Sequence, residues 1–337
     1  MTTVPKVSLG LPVYNGEAFV EQAIRSALAQ TFEDFELIIC DNASTDSTSE
    51  ICEYFAGIDS RIQYHRNPEN IGAAPNFNLA LELAKGEYFK WVAHDDVLEP
   101  EYLEQTVAVL EENADYVLAH SECHFIDEHG NFIRDHYDHL RFMESERPSV
   151  RFRCLAALHH WCFEVFGLIR REELARTPAI ASYIGSDRNL LAELALMGKF
   201  RRLPEALFLS RDHSDRSIRS TNLRERAGWF APSLHGKVAL PHWRHLQEYW
   251  KSVHRVPLAF IERLRCYRKL LGWIRHSRQQ LFADLKHARR ARAAARKAQR
   301  GAASDEGPGG PPQEPPSRPT GGPTPDPAED PVGAGQP

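Results

Sequence analysis

The 337-residue chain is predicted to adopt an α/β fold with a mixed, mostly parallel sheet flanked by helices. Short apolar runs alternate with segments in which apolar residues recur at helical spacing. Each apolar run ends in polar or turn-forming residues, as the strands of a helix-wrapped parallel sheet do. Apolar residues make up 42% of the chain, which is enough to bury a sizeable core.

The strands and helices are predicted in alternating order along the body of the chain. The strands are short apolar runs, at Lys6–Val13, Phe35–Cys40, Arg61–Tyr64, Tyr88–Ala93 and Tyr116–His120. The helices have apolar residues every three or four positions, at Glu17–Gln30, Ile51–Phe55, Asn78–Ala84, Glu101–Glu112 and Arg188–Met197. Ser44, Thr45 and Asp46 are candidate N-caps for the second helix.

Polar clusters follow four of the strands: Pro12–Asn15, Asp41–Asp46, Asn70–Gly72 and His94–Asp96. In parallel sheets, ligands bind beyond the carboxyl ends of the strands, so these clusters predict one site. The first turn lacks GxGxxG and no GxxxxGK[ST] loop occurs, which argues against a dinucleotide fingerprint and a P-loop NTPase. A phosphorylated ligand at this acidic edge requires a divalent cation, and Asp95-Asp96 suits that role. The alternative is an exposed acidic turn.

Four segments occur in order: LPVYNGE (11–17), CDNASTD (40–46), NIGAAPNFNLAL (70–81) and GEYFKWVAHDDVLEPEYL (86–103). Together they resemble the family 2 glycosyltransferases with a GT-A fold, over roughly residues 5–215. The resemblance implies inverting, non-processive transfer from a nucleotide-sugar donor, typically a UDP-sugar, to a hydroxyl of a saccharide or lipid-linked acceptor. It also implies Mn²⁺ or Mg²⁺ as cofactor and a role in cell wall or polysaccharide synthesis.

The resemblance assigns roles to individual residues. Pro12, Tyr14 and Glu17 would line the nucleotide pocket, and Asp41 would hydrogen-bond the base. Asn70 and Gly72 would flank the nucleotide, Asp95 would meet the ribose or the metal, and Asp96 would bind the metal. Many members have Asp at the position of Ala93, so this chain departs from the family there.

The second half supplies a catalytic base and a further metal ligand by the same resemblance. Inverting transfer needs a base that takes the proton of the acceptor hydroxyl, and Asp187 matches the family base. Ser186 stands where many members have Glu or Gln, and either Ser186 or Asp187 could instead cap the following helix. His213 matches a metal-binding family histidine, or is a surface loop residue.

Three further residues are candidates for the phosphate or the acceptor. Arg170 and Arg211 would contact phosphates or be solvated. Trp161 would pack against an acceptor sugar ring or belong to the core.

Two other functions stay open at this stage. A non-catalytic sugar-nucleotide-binding or scaffold protein could keep the same fold, and the departures at Ala93 and Ser186 leave that open. A nucleotidyltransferase would want a Gly-rich, Arg-containing first loop in place of Pro12–Glu17.

The domain prediction is a transferase domain over 1–217, with a nucleotide half at about 1–120 and an acceptor half at about 121–217. A helical packing region over 218–259 follows it. Residues 260–300 are predicted to form a basic amphipathic helix, which lies on an anionic membrane, packs on the body or binds RNA non-specifically. Residues 301–337 are rich in Pro and Gly and are predicted to be disordered.

Overall composition predicts the cellular setting. The net charge of −5 argues against specific nucleic-acid binding. No transmembrane segment or signal peptide is evident. The six cysteines have no metal-site spacing and are expected to be free thiols. A cytoplasmic protein is therefore predicted, and a peripheral position at the inner face of the cell membrane is the alternative.

Overall fold

The computed structural model describes residues 4–136, 140–158, 160–214, 216 and 240–305. The described residues up to Ala291 form one compact unit, and the described residues beyond it, 292–305, are helical. The predicted packing region therefore lies partly outside the described residues, as do residues 306–337 of the predicted tail.

A nine-stranded mixed sheet forms the centre of the unit, in the order β3-β2-β1-β4-β8-β6-β9-β5, with β7 paired to β6. Its strands are β1 Val7–Val13, β2 Phe35–Asp41, β3 Ile62–Arg66, β4 Tyr88–Trp91, β5 Val97–Leu98, β6 Tyr116–Ile126, β7 Phe132–His136, β8 Leu168–Arg170 and β9 Lys199–Arg211. Strands β1 to β4 are parallel to one another, and β8 runs antiparallel to both β4 and β6. The sheet is therefore mixed, as predicted.

Ten α-helices occur in the described part of the chain. They are α1 Val20–Leu28, α2 Thr48–Ile58, α3 Ala73–Leu83, α4 Tyr102–Glu112, α5 Pro148–Ala157, α6 Arg171–Ala175, α7 Ser186–Met197, α8 Pro241–Arg255, α9 Phe260–His276 and α10 Arg278–Asp305. A 3₁₀ turn spans Phe163–Phe166. The basic segment predicted as one helix is two helices, with Ser277 between them, and the second continues to Asp305.

The sheet separates two hydrophobic clusters because successive strand residues point to opposite faces. On β2, Ile38 belongs to the cluster packed with α5, α7 and the C-terminal helices, whereas Leu37 and Ile39 belong to the cluster packed with α1 and α4. All six cysteines are buried free thiols, as predicted. No helix in the described ranges has the length and apolar character needed to span a bilayer.

The pairing of β5 with β9 positions the predicted acidic pair. Strand β4 ends at Trp91, and the chain re-enters the sheet at β5, which pairs with β9 through Val97 and Leu209. Asp95 and Asp96 lie between these strands and are therefore held next to the carboxyl end of β9, at Arg211.

Candidate functional site

The loops after β1 and β2 bind each other. The backbone N–H of Asn15 donates to the Ser44 hydroxyl at 3.0 Å, and the N–H of Thr45 donates to the Asn15 side chain at 2.9 Å. The N–H of Ser47 donates to the Glu17 carboxylate at 2.9 Å. Asn15 has a φ of 49°, a left-handed conformation that Asn tolerates better than most residues. The first two predicted clusters are therefore one rigid surface.

Pro12 and Tyr14 lie on either side of the end of β1. Pro12 is buried in the strand opposite Cys40, while Tyr14 is 42% exposed just beyond it. Glu17 is also exposed. Of these three predicted nucleotide residues, Tyr14 and Glu17 offer accessible side chains, and Pro12 shapes the strand end.

Asp41 is fully buried at the end of β2. Its carboxylate accepts the N–H of Ser44 at 2.9 Å and the hydroxyl of Tyr64 at 2.9 Å, and Arg66 lies 3.5 Å away. The side chain of Arg66 is 47% exposed. In this structure Asp41 holds the turn, with its carboxylate shared between Ser44, Tyr64 and Arg66.

Asn42 connects this turn to the loop that precedes α3. Its side-chain amide donates to Asn70 at 2.9 Å and accepts the N–H of Ile71 at 3.0 Å. Gly72 has a φ of 91°, which favours glycine, and its N–H donates to Asn70 at 2.9 Å. Asn70 and Gly72 are thus joined to the edge formed by the first two loops.

The acidic pair is organised by Arg211, which is itself fully buried. Its backbone N–H donates to Asp96 at 2.9 Å and its Nε donates to the carbonyl of Asp95 at 2.9 Å. Its other guanidinium nitrogens donate to the carbonyls of Asp127 and Glu128 and to the side chain of Gln22. The guanidinium of Arg211 therefore contacts the protein rather than solvent, and its predicted phosphate role stays a prediction.

His213, predicted to be a metal ligand or a surface loop residue, lies beside the acidic pair. Its Nε2 donates to Oδ2 of Asp95 at 3.0 Å. Burial opposes ionisation of Asp95, but this hydrogen bond prevails and holds its pKa below the usual range. Burial and the neighbouring charge of Asp95 raise the pKa of Asp96 above its usual range. Two carboxylates thus stand close together with one imidazole to pair them.

The donor chemistry of this group fits a divalent cation. Carboxylate oxygens suit Mg²⁺ and Mn²⁺, and imidazole suits Mn²⁺. An added positive charge would also offset the repulsion that raises the pKa of Asp96. Among the described residues, however, no three acidic, His or Cys side chains converge as a ready-made metal cluster.

Gly16 joins the first loop to the acidic pair. A Cβ atom at Gly16 would lie 2.7 Å from Cδ2 of His94 and 2.7 Å from a methyl of Val13, closer than real Cβ contacts. Only glycine therefore allows the first loop to pack directly against the segment carrying Asp95.

Asp187 lies in the first turn of α7, where Gly185 is the N-cap. Its Oδ1 accepts the N–H of Arg188 at 2.8 Å. The Ser186 hydroxyl is buried and makes no hydrogen bond in the structure. Neither Ser186 nor Asp187 is the N-cap of α7, because Gly185 occupies that position. Asp187 nevertheless accepts one N–H of the first turn.

Helix α8 supports the start of α7. The ring Nδ1 of His245 hydrogen-bonds Oδ1 of Asn189, and the Asn189 amide donates to the carbonyl of His245 at 3.3 Å. Gly185 has a φ of 80°, and a Cβ there would lie 2.8 Å from the His245 ring. These contacts fix the backbone that carries Asp187.

Trp161 belongs to an aromatic group at the carboxyl end of β6. Its ring stacks on Phe163 with centroids 6.1 Å apart and meets Phe125 edge-on at 5.9 Å. It is nevertheless 41% exposed. Trp161 is therefore a partly exposed aromatic surface rather than a core residue.

Arg170, predicted to contact a phosphate or solvent, lies at the opposite edge of the sheet from the acidic pair. It pairs with Tyr88 at the start of β4, and its guanidinium donates to the carbonyls of Tyr116 and Leu110. Because β8 runs antiparallel to β4, the carboxyl end of β8 lies at the amino end of the parallel strands.

Sequence reasoning missed the roles of the residues that hold the site together: it includes Asn15 and Asn42 only as members of polar clusters, and His245 not at all. Asn15 could have been found, because an Asn that follows a strand and precedes Gly favours a left-handed turn. Asn42 and His245 act through partners 28 and 56 residues away, which no local pattern indicates.

Residues 8–175 match the family described as Glycosyl transferase family 2. The matched segment runs from β1 through α6 and contains both residues of the acidic pair. Through this segment the chain belongs to glycosyl transferase family 2, which sets aside the nucleotidyltransferase alternative.

Curated relatives carry glycosyltransferase names. An uncharacterized glycosyltransferase of Haemophilus influenzae is 34% identical over 131 residues, which cover 39% of this chain and 52% of the relative. The putative glycosyltransferase EpsE of Bacillus subtilis is 37% identical over 131 residues, which cover 39% of this chain and 47% of EpsE. The chain thus spans about half the length of these relatives.

Solved structures share the fold. TarS 1–349 of S. aureus, in complex with UDP-GlcNAc, has a TM-score of 0.54 at 16% identity and covers 87% of this chain and 92% of its own. The mannosyltransferase PcManGT from Pyrobaculum calidifontis, in complex with GDP-Man and Mn²⁺, has a TM-score of 0.51 at 16% identity, covering 90% and 81%. The predicted GT-A fold is confirmed.

Proposed function

We propose that the protein is an inverting glycosyltransferase that moves a sugar from a nucleotide-diphosphate donor to an acceptor hydroxyl. The observation that carries the proposal is the acidic pair of half-buried Asp95 and buried Asp96, held at the carboxyl ends of the strands by Arg211 and His213. An anionic pair at a ligand-binding edge fits a phosphorylated substrate only when a cation accompanies it.

The nucleotide is proposed to lie on the joined loops after β1 and β2. Tyr14 offers an exposed aromatic ring at this edge, and Glu17 is exposed beside it. Asp41 reaches the base once Arg66 moves aside, and Asn70 and Gly72 border the same edge. A uridine donor is favoured by the UDP-GlcNAc bound in TarS, and a guanosine donor by the GDP-Man bound in PcManGT.

Asp96 and His213, together with Asp95, are proposed to hold Mn²⁺ or Mg²⁺. The chemistry that the cation supplies when bound is neutralisation of the charge that develops on the departing diphosphate. Arg211 binds the carboxylate of Asp96 through its backbone N–H and the backbone carbonyl of Asp95 through its side chain. PcManGT, which shares the fold, is in complex with Mn²⁺.

Asp187 is proposed to take the proton from the acceptor hydroxyl as its oxygen attacks the anomeric carbon opposite the diphosphate. The rigid support of Gly185 and Asn189 by His245 holds this carboxylate at the start of α7. Trp161 and the ring stacked on it, Phe163, are proposed to pack against the acceptor sugar. A saccharide or lipid-linked acceptor fits such a face.

Release of UDP or GDP tests the activity. UDP-GlcNAc or GDP-mannose is supplied with Mn²⁺ and a panel of saccharide acceptors, and nucleotide release is followed. Asp187→Asn is expected to lower release by about 100-fold or more, with donor affinity unchanged in calorimetry. Asp115→Asn, which changes an exposed carboxylate at the opposite edge of the sheet, is the matched control and is expected to keep full activity.

Donor binding tests the cation site separately. Asp96→Asn or a chelator is expected to weaken UDP binding by about tenfold or more, because either leaves the diphosphate against uncompensated acidic groups. Binding indifferent to both changes would contradict the cation site. Donor binding without release across the whole panel would favour a non-catalytic sugar-nucleotide-binding protein, and release that survives Asp187→Asn would exclude Asp187 as the base.

A further inference from the structure

Helix α9 has two apolar rows, and one of them is exposed, with no partner among the residues that the structure describes. Cys266, Leu270 and Trp273 are buried against the neighbouring helices. The other row faces outward: Phe260, Ile261, Leu264 and Leu271 are 74%, 61%, 51% and 55% exposed. Early in α10, Phe282 is 72% exposed. The described part of the unit thus presents large apolar side chains to solvent.

The exposed row lies on one side of α9. Residues 260, 264 and 271 fall within about 40° of one another around a helix that turns 100° per residue, and the buried row lies on the other side. Arg268 and Arg275, both exposed, fall next to the apolar row by the same spacing. Apolar and cationic side chains therefore share one outward face.

The charge on this face is one-sided because both acidic residues of 260–290 turn inward. Glu262 accepts the N–H of Ser149 at 3.1 Å and pairs with Arg265 at 2.5 Å. Asp284 accepts the N–H of His242 at 2.8 Å and is buried. The exposed charged residues of this stretch are all basic, namely Arg268, Arg275, Arg278, Lys286, Arg289 and Arg290.

We propose that the outward face of α9 docks on an anionic phospholipid bilayer. Phe260, Ile261, Leu264 and Leu271 enter the boundary between headgroups and acyl chains, while Arg268 and Arg275 meet lipid phosphates. Interfacial helices bind through this combination of an apolar row with flanking cations. A second copy of the chain would bury the apolar row but bring like charges together. RNA would contact the cations but leave the apolar row exposed.

Vesicle co-sedimentation of the full chain tests the proposal. The chain is expected to sediment with vesicles of phosphatidylcholine and phosphatidylglycerol, to remain in solution with phosphatidylcholine alone, and to be released as salt rises. Leu264→Ser with Leu271→Ser is expected to weaken partitioning by about tenfold or more. Arg268→Gln with Arg275→Gln is expected to weaken it by at least about fivefold.

The matched control is Tyr54→Ser with Ile58→Ser, which removes two exposed apolar side chains from α2, 60% and 62% exposed, and is expected to leave vesicle binding unchanged. Circular dichroism melts of every variant establish that the fold is retained. Nucleotide release with a water-soluble acceptor is expected to be the same in all of them.

Three results would overturn the proposal. The first is equal sedimentation, or none, with neutral and anionic vesicles. The second is a lipid-free dimer that the leucine substitutions abolish, which would assign the face to a second copy of the chain. The third is binding of an oligouridine that the leucine substitutions leave unchanged, by a chain that binds no vesicles. This result would assign the outward face of α9 to nucleic acid.

Discussion

His245 makes a sharp prediction about how stability depends on pH. Its ring is enclosed between α8 and α7, where it hydrogen-bonds Asn189 and fills the space that a Cβ at Gly185 would occupy. Burial, reinforced by the nearby charges of Arg188 and His242, lowers the pKa of His245 to about 4. The folded protein therefore keeps this imidazole neutral well below the pH at which an unfolded chain protonates it.

The sign and size follow from proton linkage. An unfolded His has a pKa near 6.5, so between this value and about 4 the unfolded chain binds a proton that the folded chain does not. Stability is therefore full above about pH 6.5 and is lost as the pH falls through this window. From about pH 8 to about pH 4.5, His245 alone contributes a loss of about 2.5 kcal/mol.

Urea unfolding of the wild type and of His245→Gln at both pH values measures this loss. Glutamine keeps an amide that can donate to Asn189 but cannot titrate, so the variant is expected to lose about 2.5 kcal/mol less than the wild type on acidification. The control is His276→Gln, at an exposed position on α9, which is expected to keep the wild-type pH profile. If His245→Gln loses stability as steeply as the wild type, the enclosure of His245 is not what makes the fold acid-sensitive.

Three further substitutions test two supports of the site and one buried lysine of β4. Arg211→Lys removes the forked contacts to the carbonyls beside the acidic pair, and is expected to cost about 3 kcal/mol in urea unfolding and to weaken UDP binding in calorimetry. Gly16→Ala forces a Cβ against His94 and is expected to lower the melting temperature and the donor affinity together. Lys90→Met replaces a fully buried lysine, and burial lowers the pKa of Lys90 to about 7. Between about pH 7 and pH 10 the unfolded wild type binds a proton that the folded protein does not, so the stability of the wild type is expected to rise relative to the variant as the pH rises through this range.

Each of these predictions has a result that would contradict it. Wild-type stability in Arg211→Lys would mean that the guanidinium contacts are dispensable. An unaltered melting temperature in Gly16→Ala would show that the first loop shifts freely. For Lys90→Met, parallel stability curves across the pH range would mean that the ammonium is solvated, against its position over the Tyr102 ring at 4.3 Å.

The sequence predicts the nucleotide half of the fold because its signals are local. The run Phe35–Cys40 became β2 with one added residue, and the helical spacing of Glu101–Glu112 became α4. The strand predicted at Tyr116–His120 continues to Ile126, because its later residues alternate between buried and half-buried positions and pair with β9. Strand β8, of three residues, gives too short a pattern to predict.

The site divides in the same way. Asp95 and Asp96 follow directly from an apolar strand and could be placed at the ligand edge from the sequence. Arg170 could not be placed, because its position depends on β8 running antiparallel to β4. The surroundings of Arg211 depend on carbonyls 83 and 84 residues away in the chain, so its charge alone suggested contact with a ligand or with solvent and gave no sign of these contacts within the protein.

The donor edge and the candidate base rest on different supports, and this separation makes the proposed function testable in parts. Arg211 fixes Asp95 and Asp96 from β9, whereas His245 fixes the start of α7 from α8. Loosening the first support weakens donor and transition-state binding together, while loosening the second leaves the donor edge intact and misplaces Asp187. Arg211→Lys should therefore raise KM for the donor, and His245→Phe, which leaves the Asn189 oxygen without its donor, should lower kcat at unchanged donor affinity. Equal effects of both substitutions on KM and kcat would mean that the two halves move as one body and that the division of labour between them is wrong.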